Sequence, residues 1–470
     1  MAETQRSSRP MQTAKRQIPP LVIADKDCQD PPKVNQLDAE ERNKIFEDAK
    51  QANYRIPELQ AAPMPELMQQ AIEAGIPGSA NLGKQELIFE ILKHKATSKG
   101  LGWGEGTLDI LPDGFGFLRS QQHDYRSGSD DIYVSPSQIR RLGLKQGHLV
   151  SGPVRPPKEG EKYFALLHVE TVNDKTIEEL KRQINFNDLT PVLPFERLKL
   201  EHDQGSIALR LIDLLAPIGK GQRSLILTPP HADRTSLLTE IAGAFLINHP
   251  KLYVFMLLLD ERPEEVSEAV RRIGPTGNCE VVASTFDEPA SQHISLTKIV
   301  LEKARRLVES GKDVVLLVDS LTSLTRAYNT ETPHSGKVIS AGLDAVALQE
   351  PKRLFGAARR VEEGGSLSII ATLLCDTGSH MNDVICEEFM GKANSEIVLD
   401  QHLASLHLYP PINVKSSATR REDNLLDEEE LTKTRSLRRS LATLSNEEAL
   451  KKLLADLQAT KSNAEFLQGI

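Results

Sequence analysis

Apolar positions along this chain change their spacing from one region to the next, and each change marks a different kind of element. From Pro57 to Lys99 they recur at helical intervals, first at Leu67, Ala71 and Ile72 and then at Leu87, Ile88, Ile91 and Leu92, with a break at Gly75-Ile76-Pro77-Gly78. That spacing predicts two short amphipathic helices in a small module over 56–100. Between Gly104 and Asn173 the pattern shortens to strand lengths, as in Gly106-Thr107-Leu108-Asp109-Ile110-Leu111 and Phe115-Gly116-Phe117-Leu118, punctuated by Gly, Pro and Asp. A small β-barrel is expected over 104–173, followed by a linker over 174–204. From Gly205 onward the apolar residues form near-continuous runs, Leu252 to Leu259, Val281-Val282-Ala283, Val314 to Val318 and Leu367 to Leu374, alternating with helical patterns. Strands that are apolar on both sides belong to a parallel sheet covered by helices on both faces, here over 205–425. A charged helical end, 426–470, keeps Leu431, Leu437, Leu441, Leu450, Leu453 and Leu454 as its apolar positions. Residues 1–55, rich in Pro, Gln, Asp and Lys, lack sustained periodicity and read as a flexible tail.

Composition narrows the functional classes. With 470 residues, 26% of them charged, the chain has room for two or three domains with separate cores. A formal net charge of -9 provides no global basic footprint, so any nucleic-acid binding must come from a local patch. No apolar signal core and no run near the roughly 18 to 20 apolar residues of a membrane span is present, so no membrane partner and a cytoplasmic location are expected. The four cysteines, Cys28, Cys279, Cys375 and Cys386, show no C-x-x-C or Cys/His ligand spacing and read as reduced structural thiols.

Candidate chemistry concentrates at Thr228-Pro229-Pro230-His231-Ala232-Asp233-Arg234-Thr235. The strand-like Arg223 to Leu227 precedes it, and Leu237, Leu238, Ile241 and Phe245 follow at helical spacing, so the strand-loop-helix context of a phosphate-binding loop is intact. Its chemistry is not, because such loops use glycine to wrap backbone N–H groups around phosphate and a lysine to neutralise it. Asp233 instead brings a carboxylate, and two like charges about 4 Å apart at an effective dielectric near 20 repel by roughly 4 kcal/mol. Arg234 compensates in charge but not in shape; the alternative is a rearranged loop in which Arg234 still grips phosphate. Two further runs end in acids, Leu257-Leu258-Leu259-Asp260-Glu261-Arg262 and Val314 to Asp319-Ser320. Acids at strand carboxyl ends hold magnesium or orient an attacking water, although a single one is as readily a helix cap.

The barrel region carries a nucleic-acid signal. In Phe115-Gly116-Phe117-Leu118-Arg119 the two rings fall on one face, where they could stack on successive bases while Arg119 reaches a phosphate. Residues 140–162 hold six Lys or Arg against two acids, with Tyr133 and Tyr163 nearby. The alternative is that Phe115 and Phe117 are core residues and the charges a solvated face.

Longer strings carry a family resemblance. Asp113 to Arg119, Asp131 to Arg140 (DIYVSPSQIR), Arg155 to Leu166, Asp260 to Val266 (DERPEEV), Val281 to Ser291 (VVASTFDEPAS) and Phe355 to Leu367 (FGAARRVEEGGSL) resemble the bacterial transcription termination factor Rho, over about residues 57–470. The resemblance implies a multidomain fold: a helical module, an oligonucleotide-binding (OB-fold, cold-shock-like) barrel and a RecA-like α/β ATPase domain, assembled as a ring of six. It implies loading on cytosine-rich single-stranded RNA, hydrolysis of ATP with magnesium, and release of RNA polymerase, with elongation factors as further partners. Position by position it implies RNA contacts at Phe115, Phe117, Arg119, Tyr133, Lys158, Glu161 and Tyr163, and at Lys337 in a pore loop. It also implies a water-activating acid at Glu261, a magnesium-side acid at Asp319 with the loop hydroxyl of Thr235, and nucleotide contacts at Pro230, His231, Asp233, Arg234, Thr235 and Arg262.

The chain departs from the family pattern where hydrolysis is concerned. The family's P-P-K-A-G-K-T stands here as Pro229 to Thr235 with both lysines and the glycine replaced. Its second pore loop, D-T-G-S-K-M, has His380 for lysine, and S-R-H after D-E-P-A becomes Ser291-Gln292-His293. The S-R-K segment, whose arginine reaches a neighbour's ATP, aligns with Asp400-Gln401-His402. An arginine supplied across an interface is worth about 10³ to 10⁵ in rate. The expectation is therefore an RNA-binding homologue with hydrolysis lost or strongly weakened, forming its own hexamer or co-assembling with an active Rho. The alternative is a working RNA-dependent ATPase and helicase.

Overall fold

The structure is a computed structural model that describes residues 55–99, 101–158, 160–230, 232–273, 278–333 and 338–470. The tail expected at the N-terminus falls outside these residues up to position 54, as does Cys28. Three helices open the described chain: α1 (Ile56–Ala61), α2 (Met64–Glu73) and α3 (Lys84–Lys99). The first is too short to show a period in sequence; Pro57 stands in its first turn, and Ile56 and Leu59 are its buried anchors. Ile72, expected on the buried face of α2, is 69% exposed, because it stands next to Ala71 on the helix surface rather than a turn away.

The barrel consists of β1 (Gly102–Ile110), β2 (Gly116–Arg119), β3 (Ile132–Val134), β4 (Leu149–Arg155), β5 (Phe164–Leu166) and β6 (Thr171–Val172), with helix α4 (Pro136–Leu142) following β3. Its strand order is β1-β2-β3-β5-β4-β6, and a second pairing of β4 with β1 closes the sheet. Leu108, Leu118, Ile132, Val150 and Phe164 fill its interior and share one core with Leu87, Ile88 and Ile91 of α3.

The large sheet contains β7 (Arg223–Thr228), β8 (Tyr253–Glu261), β9 (Cys279–Thr285), β10 (Asp313–Asp319), β11 (Ser366–Leu374) and β12 (Ser395–Val398). They lie in the order β9-β8-β10-β11-β7-β12, every one of these pairings parallel. Alternation along each strand explains the unbroken apolar runs: Phe255, Leu257, Leu316, Val318 and Ile369 face one core, whereas Met256, Leu258, Val315, Leu317 and Ile370 face the other. The helices around it include α5 (Arg234–Asn248), α6 (Pro263–Ile273), α7 (Ala290–Glu309), α8 (Leu321–Glu331), α9 (His380–Met390), α10 (Gln401–Ser405), α11 (Glu428–Ala442), α12 (Asn446–Gln458) and α13 (Asn463–Gln468). Those of α7 and α8 cover the first face, and α5 covers the second together with α11 and α12 through Leu437, Leu441, Leu450 and Leu453. The charged C-terminal helices thus complete the core of the sheet.

Several contacts fix the barrel against the sheet. Tyr125 donates its hydroxyl proton to Glu280, and Lys303 Nζ lies 3.0 Å from that hydroxyl and 2.6 Å from Glu280 Oε1, with all three side chains buried. Gly147, at φ 83°, lies so close to α7 that a Cβ there would stand 2.4 Å from the carbonyl carbon of Glu302. The reading of the cysteines as reduced thiols is overturned for one pair: Cys375 and Cys386 are joined in a disulfide across 11 residues. The turn after β11 brings them together, which no C-x-x-C spacing announces. Cys279 is the free cysteine among the described residues.

Candidate nucleotide site and nucleic-acid interface

Parallel topology delivers the carboxyl ends of β7, β8 and β10 to one edge of the sheet, where the loop before α5 meets Glu261 and Asp319. A cleft of about 530 Å³ opens there, lined by Asp233, Arg234, Thr235, Glu261, Arg262 and Glu265 among others. Asp233 caps α5, its Oδ1 accepting the Ser236 N–H at 3.1 Å. A helix N-terminus of this kind is where a phosphate would be received; the carboxylate already satisfies one of its amides.

Arg234 turns back into the sheet edge. Its Nε donates to Asp319 Oδ1 at 2.7 Å, and its Nη2 donates to Glu261 Oε1. Asp319 and Glu261 are 0% and 4% exposed, so the guanidinium neutralises two carboxylates that water does not reach. Burial works against the Arg234 charge, but Asp319 and Glu261 more than offset it and hold the group further into its charged form. Burial, and then the Asp319 carboxylate, push the Glu261 carboxyl upward, against the pull of Arg234. The Thr235 hydroxyl lies 3.0 Å from Asp319 Oδ2 and 3.2 Å from Glu265 Oε2.

Thr235 and Asp319 are thus together, as a magnesium site requires, yet Asp319 already carries a cation on its other oxygen. With Arg234 in this position the donor set does not fit a metal ion. Of the remaining predicted nucleotide residues, Pro230 is half-buried and does not line the cleft, Arg262 is exposed at its rim, and His231 lies outside the described residues. Gln401 is exposed at the first position of α10, and Gln292 is half-buried on α7. Sequence reasoning missed Glu265 and Thr372. Glu265 lies four residues beyond Glu261 within a string already singled out, but Thr372, whose Oγ1 donates to Asp319 Oδ1 at 2.8 Å, sits inside β11 with no local signal.

On the barrel, Leu118 points into the core while Phe117 points the other way. Phe117 is nonetheless 6% exposed, because its ring lies 5.8 Å from Phe115, 6.1 Å from Tyr133 and 4.8 Å from Tyr163. Phe115, Tyr133 and Tyr163 are half-buried, so the structure gathers four aromatic rings on the outer face. Arg119, expected to reach a phosphate, does not do so here. It is 7% exposed, its Nε donates to Asp109 Oδ2 at 3.1 Å, its Nη1 donates to Asp131, and its guanidinium lies 5.1 Å from the Phe117 ring. The low dielectric around it makes two carboxylates better partners than water, and the arginine holds the aromatic face from behind.

Lys158 is exposed, and Glu161 accepts both Nη groups of Arg155 at 2.6 and 3.0 Å as well as the Lys158 N–H at 2.9 Å. The hydrogen bonds from Arg155, above all, hold the Glu161 carboxyl below its usual range. Glu161 therefore shapes the loop that presents Lys158. Lys337 lies outside the described residues, and His380 is exposed at the start of α9.

Comparison with known proteins places these features in context. Residues 58–100 match the Rho termination factor N-terminal domain, 104–178 the Rho termination factor RNA-binding domain, and 208–419 the nucleotide-binding domain of the ATP synthase alpha/beta family. The chain is 51% identical over 416 residues to the transcription termination factor Rho of Rhodopirellula baltica, covering 88% of this chain and 81% of that one. It is 51% identical to the protein of the same name from Chromobacterium violaceum, over 86% of this chain and 97% of that one. With the Escherichia coli protein the identity is 50%, over 87% and 98%.

Proposed function

This chain belongs to the transcription termination factor Rho family, and on that premise we propose that it binds single-stranded, cytosine-rich RNA on its barrel while its ATPase has been lost or strongly weakened. The observation that carries the reading is the position of Arg234, which lines the cleft with its guanidinium spent on Glu261 and Asp319. Asp233 supports it from the other side of the loop by capping one of the amides that phosphate would use. Gln401 in place of the arginine that serves a neighbour's ATP supports it independently. In this reading Phe115, Phe117, Tyr133 and Tyr163 form the base-stacking face, Lys158 approaches the backbone, and Arg119 and Glu161 position them. The chain would act in the cytoplasm on transcripts, near RNA polymerase, as a homo-hexamer or within mixed rings with an active Rho.

The second reading, a working RNA-dependent ATPase and helicase, is favoured by the continued clustering of Thr235, Glu261 and Asp319. In it, Arg234 would leave the acids for the phosphates of a bound nucleotide, and Thr235 and Asp319 would then be free to hold magnesium. Titration calorimetry of ATP with magnesium into the RNA-bound protein separates the two. No heat of binding supports the first; saturable binding accompanied by phosphate release overturns it.

A further inference from the structure

The disulfide lies in neither of the sites described above, yet it borders the loop of the first. Cys375 follows β11 directly, and its N–H donates to Thr228 O at 3.0 Å, at the threshold of the loop that leads to Arg234. Cys386 lies within α9, 6% exposed. Between them runs 376–380, the segment that resembles the family's second pore loop, with left-handed backbone at Asp376 (φ 53°) and Gly378 (φ 72°). Asn382 ties this turn through Nδ2 to Thr377 Oγ1 at 2.8 Å. The helix itself does not depend on the disulfide, because Ile385 and Phe389 are both 0% exposed in the core that also holds Leu373.

We propose that Cys375 and Cys386 form a reversible redox lock on the 376–386 segment, a thiol modification site whose reagents are small-molecule disulfides and dithiol reductants. Cys375, the more accessible of the two, attacks one sulfur of a small-molecule disulfide as thiolate and releases one thiol. Cys386 then attacks the Cys375 sulfur of that mixed disulfide and expels the second thiol. The protein loses two electrons and two protons, and the small disulfide is reduced to two thiols. In reducing surroundings the pair is a dithiol, and an oxidised pair there acts as a sensor more readily than as a staple. Closing the ring holds the turn against the end of β11; opening it frees the turn while Ile385 and Phe389 keep α9 in place. That the freed turn touches RNA rests on its resemblance to a pore loop and on the RNA binding proposed above, whereas the lock does not.

The full-length protein is equilibrated in glutathione buffers from fully reduced to fully oxidised, and thiols are counted by maleimide labelling after denaturation. Cys28 and Cys279 leave two reactive thiols in the oxidised chain and four in the reduced one. Hydrogen exchange over 376–390 should become about tenfold faster on reduction, a gain removed by Cys386→Ser, or by Cys375→Ala if the first variant does not fold. Four thiols at every buffer ratio, or exchange that ignores the redox state, overturns the lock. Exchange that follows the redox state, with affinity for a short cytosine oligonucleotide following it in step, supports both the lock and the RNA role. Exchange that follows it while RNA affinity does not supports the lock and removes 376–380 from the RNA site.

Discussion

Arg234 Nε and Asp319 Oδ1 are 2.7 Å apart, joining the first residue of α5 to the last residue of β10 across 85 positions of sequence. The bond is half of a closed ion pair at the sheet edge, because the same guanidinium also holds Glu261. A lysine at this point would present one compact charge to phosphate; the planar fork of arginine matches two carboxylates instead.

Removing that fork exposes the cost of the arrangement. Arg234→Ala leaves Glu261 and Asp319 buried side by side without a counter-charge, and should lower stability by about 3 kcal/mol. Asp233→Ala removes only a helix cap and should cost about 1 kcal/mol. Urea unfolding followed by tryptophan-independent far-ultraviolet circular dichroism compares the two. An Arg234→Ala loss no larger than that of Asp233→Ala contradicts the ion-pair account.

The same loop can be repaired in part. Asp233→Gly combined with Arg234→Lys should restore measurable nucleotide binding yet little hydrolysis, because Gln401 still supplies no arginine to a neighbour and that group alone is worth about 10³ or more in rate. Fluorescent-nucleotide binding and phosphate release on one preparation test this. Full turnover from the pair would show that Gln401 is not the position that matters.

On the barrel, stacking and support should separate. Phe117→Ala and Tyr163→Ala should each lose about 1 to 3 kcal/mol of RNA affinity, as stacking residues do. Arg119→Ala should act mainly on folding, since it strands Asp109 and Asp131. Anisotropy with a cytosine oligonucleotide, read beside melting temperature, distinguishes the two classes. Unchanged RNA binding in Phe117→Ala would remove the aromatic face from the site.

Acid should weaken the barrel through His148. It is 1% exposed, its Nδ1 accepts the Lys145 N–H at 3.0 Å, and burial, followed by the charges of Arg306 and Lys145, lowers its pKa from 6.5 to about 3. A folded value below the unfolded one gives stability that is complete above about 6.5 and is lost as pH falls toward about 3. Between pH 7 and pH 5 the loss is about 2 kcal/mol. His148→Gln should flatten that slope; an unchanged slope assigns it to other groups.

Much of the fold was legible because the sheet is buried on both faces, so that Leu252 to Leu259 and Val314 to Val318 announce themselves without any partner being known. The barrel strand β2 was legible from the alternation around Phe117, although sequence left open whether the rings of Phe115 and Phe117 belong to the core. Geometry decides it for Phe117, which is buried outside the barrel interior by its aromatic neighbours. What sequence could not give is the destination of a charge. Arg119 finds Asp109 and Asp131, and Arg234 finds Glu261 and Asp319, through strand adjacency that chain order hides. The Cys375–Cys386 pair was misread for the same reason, since a turn and half a helix lie between its members.

The central claim is that the ion pair of Arg234 has replaced nucleotide chemistry in a chain that still binds RNA. Phosphate release from ATP by the purified protein, with and without cytosine-rich RNA and alongside RNA binding on the same sample, tests it most directly. The account predicts RNA binding with no phosphate release above background. RNA-stimulated turnover would contradict it and would mean that Arg234 leaves Asp319 and Glu261 to serve the phosphates.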